Sequence, residues 1–250
     1  MSAGELSLVM PMAGRGSRFR QGGRVTPKPL IELHGRPCFW WAAESVLQAA
    51  PVREMVFVVL AEHVDAFGID ARIRSFYPRA EVVVIPEVTA GAAETAAIGV
   101  AALRTGGPLA VNDCDHAFLA EGLGPLVGRL GGSVEGALLG FRADSPNYSY
   151  VRLDDRGIVV GTVEKQVVSP YAIAGCYLFS DPAAFAGRME RYRAECTYAE
   201  LFLSGIYNTM AGEGAEVLFH ALARHVAFGT PEELDRVGAG DLRFLEGRER

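Results

Sequence analysis

Short apolar runs alternate with longer helix-like segments through the first half of the chain. The apolar runs lie at residues 6–12, 54–60, 81–85 and 108–113. Continuous runs of this length are typical of strands buried on both faces of a parallel sheet. The intervening segments predict helices at 37–50, 64–76 and 91–104. This alternation has the spacing of βαβ units, so the first half is predicted to be a mostly parallel sheet covered on both faces.

The second half has a different pattern, with shorter strand-like runs separated by turns. These runs lie at 135–141, 148–154, 157–165 and 172–179, and helices are predicted at 181–193 and 197–213. Near the end, Thr230 has the position of an N-cap, Pro231 of the first helical residue and Glu233 of a capping-box partner. The sequence shows no internal repeat or linker, and we therefore predict one α/β domain with a mixed sheet.

Composition and charge exclude several classes of function. The net charge of -6 and the pI near 5.5 argue against a general nucleic-acid binder. The sequence predicts neither a signal peptide nor a membrane span. Its four cysteines never form a Cys-x-x-Cys pair, and they indicate reduced, buried thiols in a cytoplasmic protein.

Positive charge is concentrated in one glycine-rich loop, "MAGRGSRFRQGGRVTPKPLI", at residues 12–31. The loop leaves the first predicted strand at its carboxyl end, where open α/β sheets bind ligands. Gly14 and Gly16 allow the backbone to approach a phosphate closely. Arg20 and Arg24 are expected to face water. The loop therefore predicts an anion site in an otherwise acidic protein.

Two familiar phosphate-binding motifs do not fit this loop. A Walker A motif needs Gly-Lys-Ser/Thr, which is absent, and Phe19 occupies the place of the third glycine of a dinucleotide fingerprint. The loop reads instead Gly-x-Gly-x-Arg followed by Pro-Lys-Pro-Leu, in which two prolines stiffen the chain around Lys28. Of the 24 basic residues only Lys28 and Lys165 are lysines, which marks both as candidate functional residues.

These motifs resemble the signature of the nucleotidyltransferases that join an NTP to a sugar phosphate or a similar phosphorylated acceptor. Further segments of the family follow in the same order: "VNDCDHAF", "VEK", "AGCYLF" and "FGTPEEL". The resemblance implies a GT-A-type, Rossmann-like α/β fold over residues 1–250, with a nucleotide-binding half at 1–130 and an acceptor-binding half at 131–250. The implied reaction is attack of an acceptor phosphate oxygen on the α-phosphorus of the NTP, with release of pyrophosphate.

The resemblance also assigns residues to the nucleotide. Arg18 and Lys28 are implied to be catalytic, with Arg18 gripping the β- and γ-phosphates and Lys28 near the α-phosphate. The base pocket is expected in "PEVTAGAAETA", where Thr89 is a candidate for contacting the base. The residues predicted to bind nucleotide are Met12, Ala13, Gly14, Arg15, Gly16, Ser17, Thr89, Gly91, Ala92 and Asp113.

A Mg²⁺ site is implied after the fourth predicted strand. Asp115 is the expected metal ligand and catalytic residue, whereas Asp113 is a second ligand, a nucleotide contact or a turn cap. For His116 a hydrogen-bonding role is the simpler interpretation. Ala227 stands where the family often has a second metal-binding aspartate. Three interpretations stay open. Asp113 completes the metal coordination, phosphates and water complete it, or the chain is a weakened or silent enzyme.

The acceptor site is implied in the second half. Lys165 is expected to bind the acceptor phosphate as a catalytic residue, Glu164 its hydroxyls, and Gly175 to allow close approach. Ser149 stands where the family often has glycine. Glu200, predicted to bind acceptor, forms with Ser204 and Asn208 a polar line on a predicted helix, which either lines the acceptor pocket or faces solvent.

Two alternatives remain at this point. A GT-A glycosyltransferase would use Asp113-x-Asp115 to hold the metal of a nucleotide-sugar donor, and a silent nucleotide-binding subunit would fit Ala227. The expected partners are an NTP and a phosphorylated small molecule, with neither nucleic acid nor membrane. The base, the acceptor and a homo-oligomeric state are left open.

Overall fold

The structure, a computed structural model, describes residues 4–246. The strands are β1 Leu6–Pro11, β2 Glu32–Leu33, β3 Arg36–Pro37, β4 Val52–Leu60, β5 Glu81–Ile85, β6 Leu109–Asn112, β7 His116–Leu119, β8 Val134–Arg142, β9 Ser149–Leu153, β10 Val159–Glu164, β11 Tyr171–Phe179, β12 Glu216–Ala221 and β13 Arg224–Ala227. The α-helices are α1 Ser17–Gln21, α2 Cys38–Ala49, α3 Ala61–Phe67, α4 Ile69–Phe76, α5 Ala92–Ala101, α6 Leu123–Val127, α7 Pro182–Glu195, α8 Leu203–Gly212 and α9 Pro231–Arg236. Short 3₁₀ segments cover Lys28–Leu30 and Ala239–Leu245.

One mixed sheet joins both halves of the chain. Its order is β10-β9-β11-β6-β1-β4-β5, and β8 and β12 extend it from β11. Strands β6, β1, β4 and β5 are parallel, whereas β11 runs antiparallel to both β6 and β8. Helices cover both faces, which confirms the predicted Rossmann-like α/β fold with a mainly parallel first half and a mixed second half.

The side chains of β1 show how the sheet builds two cores. Leu8 and Met10 pack in the cluster that contains α2, whereas Val9 points to the opposite cluster, which contains α5 and α7. This alternation is the ordinary geometry of a strand buried on both faces. At Gly99 of α5 a Cβ atom would lie 2.6 Å from Val9 Cγ1, so glycine allows the helix to approach the sheet closely.

The end of the chain returns to the carboxyl edge of the sheet. Strand β13 pairs with β7 and places Ala227 opposite His116. The next residue, Phe228, donates its backbone N–H to the carbonyl of Asp115 at 2.9 Å and packs in a third cluster with Phe19. The "FGTPEEL" segment is thereby held beside the glycine-rich loop.

Two predicted helices differ from those observed. The segment 64–76 forms two helices, because Gly68 between α3 and α4 has a left-handed φ of 60°. The helix predicted at 197–213 begins only at Leu203, so Glu200 lies outside it. The predicted polar line of Glu200, Ser204 and Asn208 on one helix is therefore wrong.

Several short elements were not predicted. Strands β2, β3, β7, β12 and β13 lie in segments whose polarity gives no clear alternation. Strands β2 and β3 form a two-residue hairpin with each other, whereas β7, β12 and β13 pair with strands that are distant in sequence. All four cysteines are free, as predicted. Cys38, Cys114 and Cys176 are buried, whereas the prediction of a buried thiol is wrong for Cys196, which is partly exposed. Within residues 4–246, no helix is both long and apolar enough to cross a membrane.

Candidate active site

The glycine segment, residues 12–18, leaves β1 at the carboxyl edge of the sheet. Met12 and Ala13 are buried and anchor its start. Gly16 has a left-handed φ of 60°, and a Cβ atom there would lie 3.4 Å from Cβ of Lys28. Helix α1 follows directly and buries Phe19 against the third core. Phe19, which excluded a dinucleotide fingerprint, therefore anchors α1, and Gly16 allows Lys28 to lie beside the glycine segment.

Lys28 forms an ion pair with Asp115. Its Nζ lies 2.7 Å from Oδ2 of Asp115, and both side chains are about one-quarter exposed, at 25% and 27%. Burial alone would lower the pKa of Lys28, but the neighbouring acidic groups, Asp115 foremost, together outweigh it and raise that pKa. Burial would likewise raise the pKa of Asp115, and the Lys28 ammonium lowers it instead. Both groups are therefore charged at neutral pH.

Asp113 is held beside Asp115 by the irregular centre of β11. Its backbone N–H donates to the carbonyl of Gly175 at 2.8 Å. At Gly175, φ is 69° and a Cβ atom would lie 2.9 Å from Oδ2 of Asp113, so only glycine leaves this carboxylate its space. Burial and the neighbouring Asp115 carboxylate raise the pKa of Asp113. The neighbouring Asp115 carboxylate thus disfavours ionisation of Asp113.

Two histidines near the aspartates are neutral at pH 7. Burial lowers the pKa of His116 to about 4 and that of His225 to about 3. The side-chain amide N–H of Asn112 donates to the Ala42 carbonyl. The Oδ1 atom of Asn112 therefore accepts a hydrogen bond from His116 Nε2 at 3.1 Å. His225 stacks on Phe141 with 3.8 Å between ring centroids. The hydrogen-bonding interpretation of His116 agrees with this geometry.

A larger cavity, of about 470 Å³, lies over the carboxyl ends of β1 and β6. All the residues predicted to bind nucleotide line it except Ser17. Lys28, Asp115 and Glu200 line it as well. The structure therefore brings the glycine segment, the proposed base pocket and the metal-binding candidates around one space.

A smaller cavity, of about 180 Å³, opens on the side of the second half. Arg18, Gly175 and Ala227 line it, together with His116, Ser149 and His225. Asp113 and Asp115 line both cavities. The two cavities therefore meet at the two aspartates, and Arg18 faces the smaller one.

Tyr148 and Glu233 form a link across the smaller cavity that the sequence did not assign to the site. The Tyr148 hydroxyl donates to Glu233 Oε1 at 2.7 Å, and Glu233 Oε2 accepts the backbone N–H groups of Gly229 and Thr230 at 3.0 and 3.1 Å. A Cβ atom at Gly229 would lie 2.6 Å from Oδ2 of Asp115. The predicted capping box is confirmed, and it also holds the turn that packs against Asp115.

Glu164 and Lys165 lie at the end of β10, outside the lining of both cavities. Glu164 Oε1 accepts hydrogen bonds from Ser149 Oγ at 2.6 Å and from Ser204 Oγ. Lys165 is exposed, with φ of 53° and its Nζ 5.2 Å from the centroid of Phe202. Their acceptor-binding roles stay predictions.

The remaining members of the polar line support β10. Asn208 Oδ1 accepts the backbone N–H of Thr162 at 2.7 Å, and Thr162 Oγ1 donates to the carbonyl of Ser204 at 2.8 Å. These contacts join α8 to β10. Ser204 is buried, whereas Asn208 is exposed and lines a different cavity, and Glu200 is the one of the three that lines either cavity of the site.

The other arginines of the loop are paired with exposed carboxylates. Arg15 and Arg20 both approach Glu62 Oε1, at 3.8 and 3.2 Å, and Arg24 lies 3.2 Å from Asp235. Exposed pairs of this kind contribute about 0–1 kcal/mol each. Arg20 and Arg24 are exposed, as expected from the sequence.

Asp113 and Asp115 are the candidates for holding a metal ion. Carboxylate oxygens are the donors that Mg²⁺ prefers, and Mg²⁺ usually takes one or two of them and completes its shell with phosphates and water. Across residues 4–246, no group of three or more His, Cys, Asp or Glu side chains is arranged to bind a metal. The pair therefore fits a metal whose remaining ligands come with a substrate.

Comparison with known proteins agrees with this geometry. Residues 9–130 match the sequence profile of the MobA-like NTP transferase domain. The fold is similar to that of a nucleoside-diphosphate-sugar pyrophosphorylase from Vibrio cholerae RC9, at 22% identity and TM-score 0.77, over 91% of this chain and 98% of that one. It is also similar to an inositol-1-phosphate CTP transferase from T. maritima, at 14% identity and TM-score 0.75, over 98% of this chain and 96% of that one. No curated protein matches the chain in sequence. The profile match confirms the resemblance to NTP transferases, and the two structures confirm the fold.

Proposed function

From the NTP transferase match over residues 9–130, we propose that this chain transfers a nucleotidyl group from an NTP to a phosphorylated sugar or related phosphorylated acceptor. The observation that carries the proposal is the meeting of two cavities at Asp113 and Asp115, with the Lys28 ammonium 2.7 Å from Asp115. Such an arrangement suits a reaction in which two phosphorylated substrates meet at one centre. The pyrophosphorylase and CTP transferase named above support it.

The reaction forms one P–O bond and breaks another. An acceptor phosphate oxygen attacks the α-phosphorus of the NTP, and the bond to the β-phosphate oxygen breaks, with its electron pair leaving on pyrophosphate. Both reactants are anions, so positioning and positive charge supply most of the catalysis. The larger cavity is expected to take the NTP and the smaller one the reacting end of the acceptor.

Lys28 is the group best placed to stabilise charge at the reacting phosphorus. Its raised pKa keeps it an ammonium, and the stiff Pro-Lys-Pro segment keeps it at the junction of the two cavities. Arg18 lines the smaller cavity, and Arg15 lines the larger one. We therefore assign Lys28 and Arg18 as catalytic, with Arg15 as a phosphate contact.

Mg²⁺ is the proposed cofactor, with Asp115 and Asp113 as its protein ligands. The ion would neutralise phosphate charge and orient the triphosphate. Asp115 lies next to Lys28, so the proposed metal ligand and the Lys28 ammonium lie in the same part of the site. Glu164, Lys165 and Gly175 stay assigned to the acceptor, and the free cysteines fit the cytoplasmic setting predicted from the sequence.

A catalytically silent nucleotide-binding subunit is a second candidate. Ala227 lies opposite His116 in the β7–β13 pair and lines the smaller cavity, where the family's second aspartate is expected. A chain of this kind would bind nucleotide without turning it over. The two candidates therefore differ in turnover rather than in binding.

Thermal unfolding with ATP, GTP, CTP, UTP and dTTP, each with and without Mg²⁺, tests the proposal. A nucleotide at about 100 times its Kd stabilises the protein by roughly 2.7 kcal/mol. For a chain of this size each kcal/mol raises Tm by about 2–4 °C. Pyrophosphate release with a panel of sugar and polyol phosphates then separates enzyme from silent subunit. If no nucleotide raises Tm and no pyrophosphate appears, the proposal is wrong.

A further inference from the structure

Glu200 is exposed and lines the larger cavity together with the segment after β5. The neighbouring backbone is held firmly, because the Leu201 N–H donates to the Ala90 carbonyl at 3.0 Å and the Ala93 N–H donates to the Leu201 carbonyl at 2.9 Å. A Cβ atom at Gly91 would lie 2.5 Å from the Leu201 nitrogen. The glycine therefore allows a close backbone contact that fixes where Glu200 stands.

The hydroxyl groups at this end of the cavity are already engaged. Thr89 Oγ1 donates to the Gly91 carbonyl at 2.8 Å and lies 2.7 Å from Thr95 Oγ1. The carboxylate of Glu200, by contrast, makes no hydrogen bond or ion pair with any side chain or backbone group in residues 4–246. It is the charged group at this end of the cavity that is available to a ligand.

The place of Glu200 in the cavity favours the base over the phosphates. The glycine segment and Lys28 line the same cavity and are the groups suited to the triphosphate. A carboxylate that holds no metal ion would repel the triphosphate, whereas the Thr89–Ala92 segment has small side chains that admit the edge of a base. The sequence analysis placed Glu200 with the acceptor, but the residue reaches the larger cavity and not the smaller one.

We propose that Glu200 contacts the nucleobase and selects an NTP whose base carries an amino group. This inference rests on the proposed function, because it assumes that the larger cavity holds an NTP. An ionised carboxylate only accepts hydrogen bonds. Cytosine, adenine and guanine offer an exocyclic amino group as donor, whereas uracil and thymine offer a carbonyl oxygen at the corresponding position of cytosine. We place Glu200 at the exocyclic position rather than at the ring N–H, which uracil and thymine also offer as a donor, so that Glu200 favours amino-bearing bases over uracil and thymine.

Binding of the five nucleotides to wild type, Glu200→Gln and Glu195→Gln tests the inference. Dissociation constants are measured by calorimetry with Mg²⁺ present and no acceptor. Glu195 is a matched control because it is an exposed glutamate at the end of α7 that lines a different cavity. A hydrogen bond to a charged group corresponds to a factor of about 10 or more. We expect at least one of CTP, ATP and GTP to bind about tenfold more tightly than UTP and dTTP.

In Glu200→Gln this preference is expected to fall towards unity, because the glutamine amide also donates to the carbonyl oxygen of uracil or thymine. Glu195→Gln is expected to keep the wild-type preference. The inference is overturned if UTP or dTTP binds most tightly in wild type, or if Glu200→Gln keeps the wild-type preference. It is also overturned if Glu200→Gln weakens all five nucleotides equally, which would place the carboxylate at the ribose. Absence of binding by every nucleotide would overturn the proposed function as well, so the two failures are distinguishable.

Discussion

Replacing Lys28 by methionine removes the one cation within residues 4–246 that pairs with Asp115, while keeping most of the side-chain volume. In the variant, Asp113 and Asp115 share a partly buried space without a compensating charge. At 2.7 Å the attraction between unit charges is about 6 kcal/mol at an effective dielectric constant of 20. Desolvation of the two ions offsets much of it, and breaking a fully buried pair costs about 3–5 kcal/mol. Since this pair is about one-quarter exposed, we expect a loss of about 2 kcal/mol.

The loss is expected to depend on pH in a defined direction. In wild type, Lys28 lowers the pKa of Asp115, so this carboxylate contributes stability above its unfolded pKa of about 4 that is lost as pH falls. The variant lacks that contribution at neutral pH. The difference in the free energy of unfolding between wild type and Lys28→Met should therefore keep its full value from about pH 8 to pH 5 and shrink from about pH 4 to pH 3, as pH falls through the lowered pKa of Asp115.

Thermal unfolding of both proteins across this pH range, with pyrophosphate release at pH 7.5, measures the two effects. A loss of about 2 kcal/mol lowers Tm by about 4–8 °C in a chain of this size. Turnover should fall by about 10²–10³, the usual cost of removing one preorganised electrostatic group. Lys165→Met is the control for stability, because Lys165 is exposed. A Lys28→Met protein with unchanged Tm at pH 7.5 and turnover within a few-fold of wild type would refute this account.

Three further substitutions test other parts of the site. Ala227→Asp places a carboxylate in the smaller cavity and should lower the Mg²⁺ concentration for half-maximal turnover, with no change expected if metal binds elsewhere. Tyr148→Phe removes the 2.7 Å hydrogen bond to Glu233 and should cost about 1 kcal/mol in chemical denaturation; an unchanged midpoint would contradict the link. Gly175→Ala puts a Cβ atom 2.9 Å from Oδ2 of Asp113 at φ 69°, and should lower both Tm and turnover. Wild-type behaviour of this variant would show that β11 adjusts.

The sequence predicted those parts of the fold in which one segment carries its own signal. Apolar runs marked β1, β4, β5 and β6, and a Thr-Pro-x-Glu pattern marked the start of α9. Strand β13 was missed because its four residues, "RHVA", have no pattern of their own and form a strand by pairing with β7. Partners that are distant in sequence cannot be inferred from periodicity.

The site shows the same division. The glycine segment and Lys28 were found because flanking glycines and prolines are local features, and the structure places them at one cavity. Tyr148 and Glu233 were missed because their contact joins residues 85 positions apart. The sequence predicted Glu233 only as a member of the capping box of α9, and the structure confirms that role as well. Glu200 was placed on the wrong element because the polar spacing resembled a helix that begins three residues later, at Leu203.

The positive charge of the loop is mostly balanced within the protein. Arg15 and Arg20 approach Glu62, Arg24 approaches Asp235, and Lys28 pairs with Asp115. Arg18 differs, since it forms no ion pair with any carboxylate of residues 4–246 and lines the smaller cavity. An uncompensated guanidinium beside two aspartates is the feature of this loop that calls for an external anion. Under the proposed function a phosphorylated acceptor would supply such an anion at the smaller cavity, in place of the β- and γ-phosphate contact expected for Arg18 from the sequence.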